Sequence, residues 1–467
     1  MGVDREIPNG WQLVKLGDLV ADPKRDLVDG PFGSNLKAHE YVDNGVPVIK
    51  IQNIKANRFV DSNINYVKKE KAEYLSRHSF VSGDLIITKL GDPLGLCCKV
   101  PEKYGFGIIV ADLMRLRPSR LVVYDQFLIY AINSETVQNQ FRAITKGTTR
   151  PRVNLTIVRE IQIPLPPLPE QQRIVAKIEE LFSSLDRGIE SLKTAQQQLK
   201  VYRQAVLKWA FEGRLTNKNV VDGQLPEGWK WKQLEEITSI LGDGLHGTPI
   251  YSENGDYFFI NGNNLSDGKI EIRQNTRRVS FEEYGKYTKP LNDKTILVSI
   301  NGTLGNTAFY DNEKVILGKS ACYFNVLDTI YKHYIRYCIT SYRFINYANK
   351  NATGSTIRNV GLKAMREFEI AIPPSLEEQR AIVAEIDSRL SVCDKIEASI
   401  EQSLQQAESL RQSILKKAFE GELVPQDPND EAASGLLERI KAERGRNRAE
   451  APKLSRKGRM RTRMAQS

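Results

Sequence analysis

PPLPEQQRIVAKIEELFSSLDRGIESLKTAQQQLKVYRQAVLKWAFEGRL, residues 166–215, holds the reading that decides the fold. Ile174, Ile178, Leu181, Leu185, Ile189, Leu192, Leu199, Tyr202 and Val206 recur at spacings of three, four or seven, the apolar stripe of a helix that packs along its length. Pro166 and Pro167 block helix before it, Pro169 suits a first turn, and Glu170 sits near the positive end of the helix dipole. Gly213 marks the exit. At 1.5 Å per residue, a helix over 169–212 is about 65 Å long.

The same text returns further along. PPSLEEQRAIVAEIDSRL at 373–390 and QSILKKAFEGEL at 412–423 repeat it, and Ile382, Ile386, Leu390, Cys393, Ile400, Leu404, Ala407, Leu410 and Ile414 form a second stripe over 376–420. IPNGWQLVKLGDLV at 7–20 likewise returns as LPEGWKWKQLEEIT at 225–238. The matches are offset by 218, 207–208 and 208 residues, so one unit of roughly 210 residues is written twice. Neither long helix can bury its stripe alone. Two of equal length can bury each other, and the insert between them makes an antiparallel pair simple; each packed on its own domain is the alternative.

Between these shared segments, 21–160 and 239–367 have little in common beyond Gly-Thr-Thr at 147–149 set against Gly-Ser-Thr at 354–356. Both are rich in short β-branched runs bounded by glycine or asparagine: 46–54, 83–90, 107–118, 293–302 and 320–327. Residues 123–145 and 330–349 read as helices. The expected fold is α/β (α+β), with two mixed α/β domains joined by two long antiparallel helices in a coiled coil, an internal pseudo-two-fold repeat. The boundaries fall at 1–162, 163–215, 216–369, 370–424 and a basic, disordered tail at 425–467. A duplicated frame with divergent inserts suits modules that dock alike and recognise different things; drifted duplication without a division of labour is the blander account.

Composition narrows the function. The net charge is +10, but residues 439–467 hold eleven Lys and Arg against two acids, leaving the first 438 residues near neutrality. Bulk charge is therefore a poor argument for a nucleic-acid partner. No apolar run approaches the ~20 residues of a membrane helix, and the opening MGVDREIPNGW is unlike a secretory signal. Five cysteines without a CxxC pair point to a reducing, cytoplasmic setting. Gly318-Lys319-Ser320 lacks the first glycine of a phosphate-binding loop, which is Glu313 here. His39, His78, His246 and His333 have no zinc-ligand spacing. No acidic-Pro-Pro-aromatic methyltransferase tetrapeptide is present, and no nuclease core is evident.

The repeated PPLPEQQRIVAKIEELF and QAVLKWAFEGRL segments, with the Pro-x-Gly-Trp openings at 8–11 and 226–229 and SGLLERIKAERGR at 434–446, closely resemble the specificity subunits of Type I restriction-modification systems. The resemblance covers nearly the whole chain. It implies a non-catalytic protein in which each insert is a target-recognition domain reading half of a split, asymmetric site in double-stranded DNA, while the helices set the spacing. It implies two modification subunits docked on the repeated frame, joined by restriction subunits. S-adenosylmethionine, ATP and Mg are then expected on those partners and no cofactor or metal in this chain. Two other classes stay open: a coiled-coil protein-docking scaffold without base reading, and a stand-alone methyltransferase or nuclease.

Candidate DNA contacts follow from side-chain chemistry and loop context. In the first insert they are Ser34, Asn35, Lys37, Lys50, Gln52, Asn53, Lys89, Lys146, Thr148, Thr149, Arg150 and Arg152. In the second they are His246, Thr248, Asn261, Asn263, Asn264, Asn301, Ser355, Thr356, Arg358 and Asn359. Turn formation is the rival account of the Asn-Gly pairs. On the frame, Glu170, Gln172, Arg173 and Phe211, with Glu377, Gln379, Arg380 and Phe419, are expected as an exposed partner-docking surface, helix capping accounting for part of the likeness.

Overall fold

The computed structural model describes residues 7–145, 151–217, 219–221, 223–354 and 356–450, with side chains to 446. The two long helices are Leu168–Phe211 and Leu376–Phe419, 44 residues each. The chain divides into two units: residues up to 190 with those from 404 onward, and residues 191–403. Each unit is an α/β module on an antiparallel helix pair, the first half of one long helix against the second half of the other.

In the first unit, Ile174, Val175, Ile178 and Phe182 share a core with Ile414, Leu415, Ala418 and Phe419. In the second, Ile382, Val383 and Ile386 share one with Val206, Leu207, Ala210 and Phe211. The apolar stripes are buried at the helix ends, where a module packs on them, and Cys393, Ile400 and Ala407 stay buried along the middle of the second helix. Tyr202 and Leu410 depart from the expectation, being 38% and 50% exposed. Polar bridges flank the stripes: Arg203 Nη2 lies 2.7 Å from Asp394 and 2.9 Å from Glu397, while Arg411 pairs with Asp186 and covers the Phe182 ring.

Each module carries a four-stranded antiparallel sheet. In the first unit its order is Cys97–Lys99, Leu85–Thr88, Leu113–Leu116, Leu27–Asp29. In the second it is Thr307–Phe309, Thr295–Ser299, Ala321–Val326, Thr238–Asp243. A second, mixed sheet is built around Val46–Ile49 in one, with five strands, and around Tyr257–Ile260 in the other, with three. The stretches expected as one helix each, 123–145 and 330–349, are helix pairs: Asp125–Asn133 with Glu135–Thr145, and Lys332–Thr340 with Tyr342–Asn351. The break is a serine in both. Ser134 and Ser341 are extended, and their hydroxyls donate back to the carbonyls of Ala131 and Cys338.

The duplicated openings clasp the helix starts. Trp11 Nε1 donates to Glu170 at 3.0 Å, and Trp229 Nε1 to Glu378 at 3.0 Å. Gln171 accepts from the Tyr124 amide and Gln379 from the Tyr331 amide, both at 2.8 Å. At the helix exits Gly213 and Gly421 are left-handed, and a Cβ there would lie 2.2 Å from Pro226 Cγ and 2.5 Å from Pro8 Cγ.

The segment expected to be a disordered tail contains a helix, Ala433–Glu450. Ala433, Leu436 and Ile440 are buried in the first unit's core, the Ala433 amide donates to Gly10, and Arg444 donates to the carbonyls of Gly17 and Val20. The charge count hid this short apolar spacing. Residues 451–467 lie outside the described part.

Candidate nucleic-acid interface

Among the described residues, Leu90 bridges Arg152 in the first unit, and Leu245 bridges Gly318 and Asn301 bridges Asn359 in the second, which brings several of the loops nominated from sequence together. In the first unit, Lys50 begins a single 3-10 turn, Ile51–Asn53. In the second, Asn261 begins its counterpart, Gly262–Asn264. The strand registers make Lys50 equivalent to Asn261 and Asn53 to Asn264, since Ile49 and Ile260 each pair with the adjacent parallel strand at Ile109 and Leu317.

Asn53 and Asn264 are buried scaffolding, not readers. Asn53 Oδ1 accepts from the Lys50 amide at 2.9 Å, and its Nδ2 donates to Val60 and Ser62 carbonyls at 3.0 and 2.9 Å. Asn264 accepts from the Asn261 amide at 3.0 Å and donates to the Glu271 carbonyl at 2.9 Å. The identical device twice explains why asparagine stands there: only a side chain with both donor and acceptor closes the turn onto its neighbour. Lys89 is also withdrawn, 6% exposed, its ammonium 3.1 Å from Asp29. These three expectations of DNA contact are therefore corrected; desolvation favours internal partners for each.

The outward members remain. Ser34, Lys37, Gln52, Arg152, His246, Thr248, Asn263, Thr356 and Arg358 are exposed, and Asn35, Lys50, Asn261, Asn301 and Asn359 partly so. Gln52 reaches the Asn63 carbonyl at 3.3 Å, His246 lies 2.6 Å from Asp243, and Arg358 holds Asn349. Residues 151–153 and 358–360 are held in the same way in the two units. Gly91 and Gly302 amides donate to Pro151 and Arg358 carbonyls, and Val153 and Val360 amides to Lys89 and Ile300 carbonyls. Arg152 and Asn359 are the bridge partners of Leu90 and Asn301. Lys146, Thr148, Thr149, Arg150 and Ser355 lie outside the described residues.

Close backbone approach shapes the rim. A Cβ on Gly30 would meet the Val110 carbonyl oxygen at 1.9 Å, and one on Gly244 that of Leu317 at 2.2 Å. The Gly-Lys-Ser tripeptide that fails as a phosphate loop belongs here: Ser320 Oγ donates to Asn261 Oδ1 at 2.9 Å and accepts from the Gly262 amide at 2.8 Å, and Lys319 is exposed beside it. Phe32, Ile250 and Ile357 stand 77%, 72% and 61% exposed on the same loops, apolar surface of the kind that meets thymine methyl groups. Residue chemistry alone had passed over Lys319 and these three, because their type suggests solvent or core.

Among the described residues no group of three or more His, Cys, Asp or Glu could hold a metal ion, and no helix is long and apolar enough to cross a membrane. All five cysteines are buried, and burial pushes the Cys98 thiol up to about 12.

On the frame, the docking expectation divides. Gln172, Glu377 and Arg380 are exposed. Glu170, Gln379, Phe211 and Phe419 are buried, holding the openings and cores described above, and this corrects their reading as exposed surface. Arg173 is partly exposed and paired with Asp430 at 2.6 Å.

A duplicated α/β module with the same turn scaffold but different rim side chains defines a protein that presents two dissimilar recognition faces. The family model described as Type I restriction modification DNA specificity domain matches residues 8–201 and again 226–406, and the chain belongs to this family. It is 25% identical over 463 residues to the Type I restriction enzyme EcoKI specificity subunit of Escherichia coli K12, covering 94% of this chain and 96% of that one. A chain solved in work on complex assembly and conformational transition of the type I R-M system superposes with a TM-score of 0.64 at 22% identity, covering 89% of this chain and 99% of that one. The HsdS subunit from Thermoanaerobacter tengcongensis superposes at 0.57 with 22% identity, covering 90% and 99%.

Proposed function

We propose that this chain is the DNA-reading subunit of a Type I restriction-modification enzyme, each unit reading one half of a split, asymmetric site. The observation that carries the reading is the pairing of an invariant scaffold with a variable rim. Asn53 and Asn264, Gly30 and Gly244, and Gly91 and Gly302 hold equivalent backbone, whereas the outward residues change from Gln52 and Arg152 to Asn263 and Asn359. Arginine favours guanine edges and asparagine favours adenine, so the two faces suit different half-sites.

On this reading the chain performs no chemistry itself. Two modification subunits dock on the repeated frame, where Gln172, Glu377 and Arg380 offer exposed polar contacts, and restriction subunits join them in the cytoplasm. Those partners hold S-adenosylmethionine, ATP and Mg. Co-expression with the cognate modification subunit, followed by single-molecule mapping of N6-methyladenine in genomic DNA, tests the proposal. Methylation confined to one split asymmetric motif supports it; methylation scattered without a motif, or absent from a stable complex, refutes it.

A further inference from the structure

Beside each 3-10 turn a tyrosine carries a cation over its ring. In the first unit Lys50 Nζ lies 4.2 Å from the Tyr41 ring centre. In the second, Arg277 Cζ lies 5.4 Å from that of Tyr251. The tyrosines are equivalent: Tyr41 pairs with Val67 and Tyr251 with Val279, and those valines pair in turn with Val46 and Tyr257 of the corresponding strands. The cations are not equivalent. Lys50 opens the turn, the place of Asn261, while Arg277 sits on the neighbouring strand, the place of Asn65.

The local chemistry accounts for the change of origin. The place of Lys50 is taken by uncharged Asn261, which accepts from the Ser320 hydroxyl, and the cation over the ring comes from Arg277 instead. In the first unit the place of Ser320 is Asp112, which faces Arg152 at 4.0 Å, and Lys50 lies along Tyr41. The same cation–ring arrangement reached from two positions is more than inherited sequence.

Neither cation has a carboxylate within ion-pair distance among the described residues, and burial pulls the Lys50 ammonium below its ordinary range with no acid offsetting it. Arg277 is exposed, and the Tyr251 ring packs on Phe259, two residues before Asn261, at 6.2 Å between centres. A ring-held, unneutralised cation at the edge of a reading loop fits a diffuse anion that approaches from solvent.

We propose that Tyr41 with Lys50, and Tyr251 with Arg277, are equivalent clamps for a DNA phosphate, one per half-site. They fix the register of each unit and leave base choice to the turn and loop residues. The proposal rests on the DNA-reading function above.

The test is the salt dependence of duplex binding by the full chain, on DNA carrying its methylation motif and on unrelated DNA. Loss of one phosphate contact lowers the slope of log K against log salt by about 0.9, which is roughly fivefold in affinity at 0.15 M. Arg277→Gln and Lys50→Asn are each expected to show that loss on both DNAs, with the melting temperature and the methylated motif unchanged. Lys50→Asn combined with Asn65→Arg moves the cation to the route used in the second unit and is expected to restore the slope. A changed motif with an unchanged slope in Lys50→Asn makes Lys50 a base reader and overturns the clamp, as does a folded double variant that restores nothing. A wild-type chain with no preferred sequence, whose slope still falls in Arg277→Gln, refutes the functional reading and leaves the clamp standing.

Discussion

Replacing Asn53 with alanine separates scaffold from reader. The side chain is 0% exposed and makes three hydrogen bonds, one accepted from the Lys50 amide and two donated to the Val60 and Ser62 carbonyls. At about 1 kcal/mol net per bond, partly recovered if water enters, the loss is about 2–3 kcal/mol. For a module of this size that lowers its melting temperature by roughly 4–10 °C. Lys50 and Gln52 are held by the same turn, so DNA affinity falls too, on cognate and unrelated duplexes alike. Calorimetry of the full chain reads the stability, and selection from a randomised duplex pool reads the base preference. Gln52→Ala is the control: it is exposed, with one 3.3 Å bond to the Asn63 carbonyl, and its expected effect falls on preference with melting nearly unchanged. An Asn53→Ala protein that melts like wild type while selecting a different motif would make Asn53 a base contact and refute the argument.

Three further outcomes follow from the same geometry. Burial raises the Glu170 carboxyl above its ordinary value near 4.5, with the Trp11 indole donor opposing. The folded state therefore holds the proton longer, so Glu170 contributes stability below the unfolded value that is lost as pH rises through the folded one. Glu170→Gln keeps an acceptor for Trp11, and its stability relative to wild type, measured by urea melts from pH 4 to 7, is expected to rise over that interval; a flat difference refutes it. Gly244→Ala forces a Cβ to 2.2 Å from the Leu317 carbonyl oxygen, and is expected to cost about 1–3 kcal/mol in chemical denaturation and to weaken DNA binding. Phe419 is 4% exposed and packs 5.4 Å from Phe127, so Phe419→Ala is expected to cost about 3–5 kcal/mol, whereas exposed Arg380→Ala should melt like wild type and reveal any role only in partner binding.

The repeat and its helices were legible because helical packing imposes a period on sequence: 169–212 was expected and Leu168–Phe211 is found. The family resemblance rested on the same segments. Side-chain direction was not legible. Asn53 and Gln52 are adjacent polar residues in one loop, and only the turn geometry sends one into the module and the other to solvent. Repetition also misled at the frame. Glu170, Phe211 and Phe419 recur because they fasten each module to its helix, a constraint that leaves the same trace as a docking surface. The Arg277 clamp was invisible for the opposite reason, since its counterpart Lys50 lies at a different position in the repeat and no alignment of residues joins them.

That contrast bears on how two unlike readers can share one scaffold. The residues with the same role in both units act inward on backbone: asparagine closes a turn, glycine admits a carbonyl, glutamate holds an indole. Each solves a geometric problem with few chemical solutions, so duplication preserves it. A residue facing solvent has no such constraint, and Lys50 and Asn261 can differ completely while the backbone beneath them stays in register. A new half-site can therefore be acquired by changing outward side chains without redesigning the fold. If that is how specificity is stored, exchanging Gln52 and Arg152 for the asparagines of 263 and 359 should alter one half of the methylated motif and leave the other half as it was. Loss of both halves, read by methylation mapping, would mean that the two recognition faces are coupled and would defeat the argument.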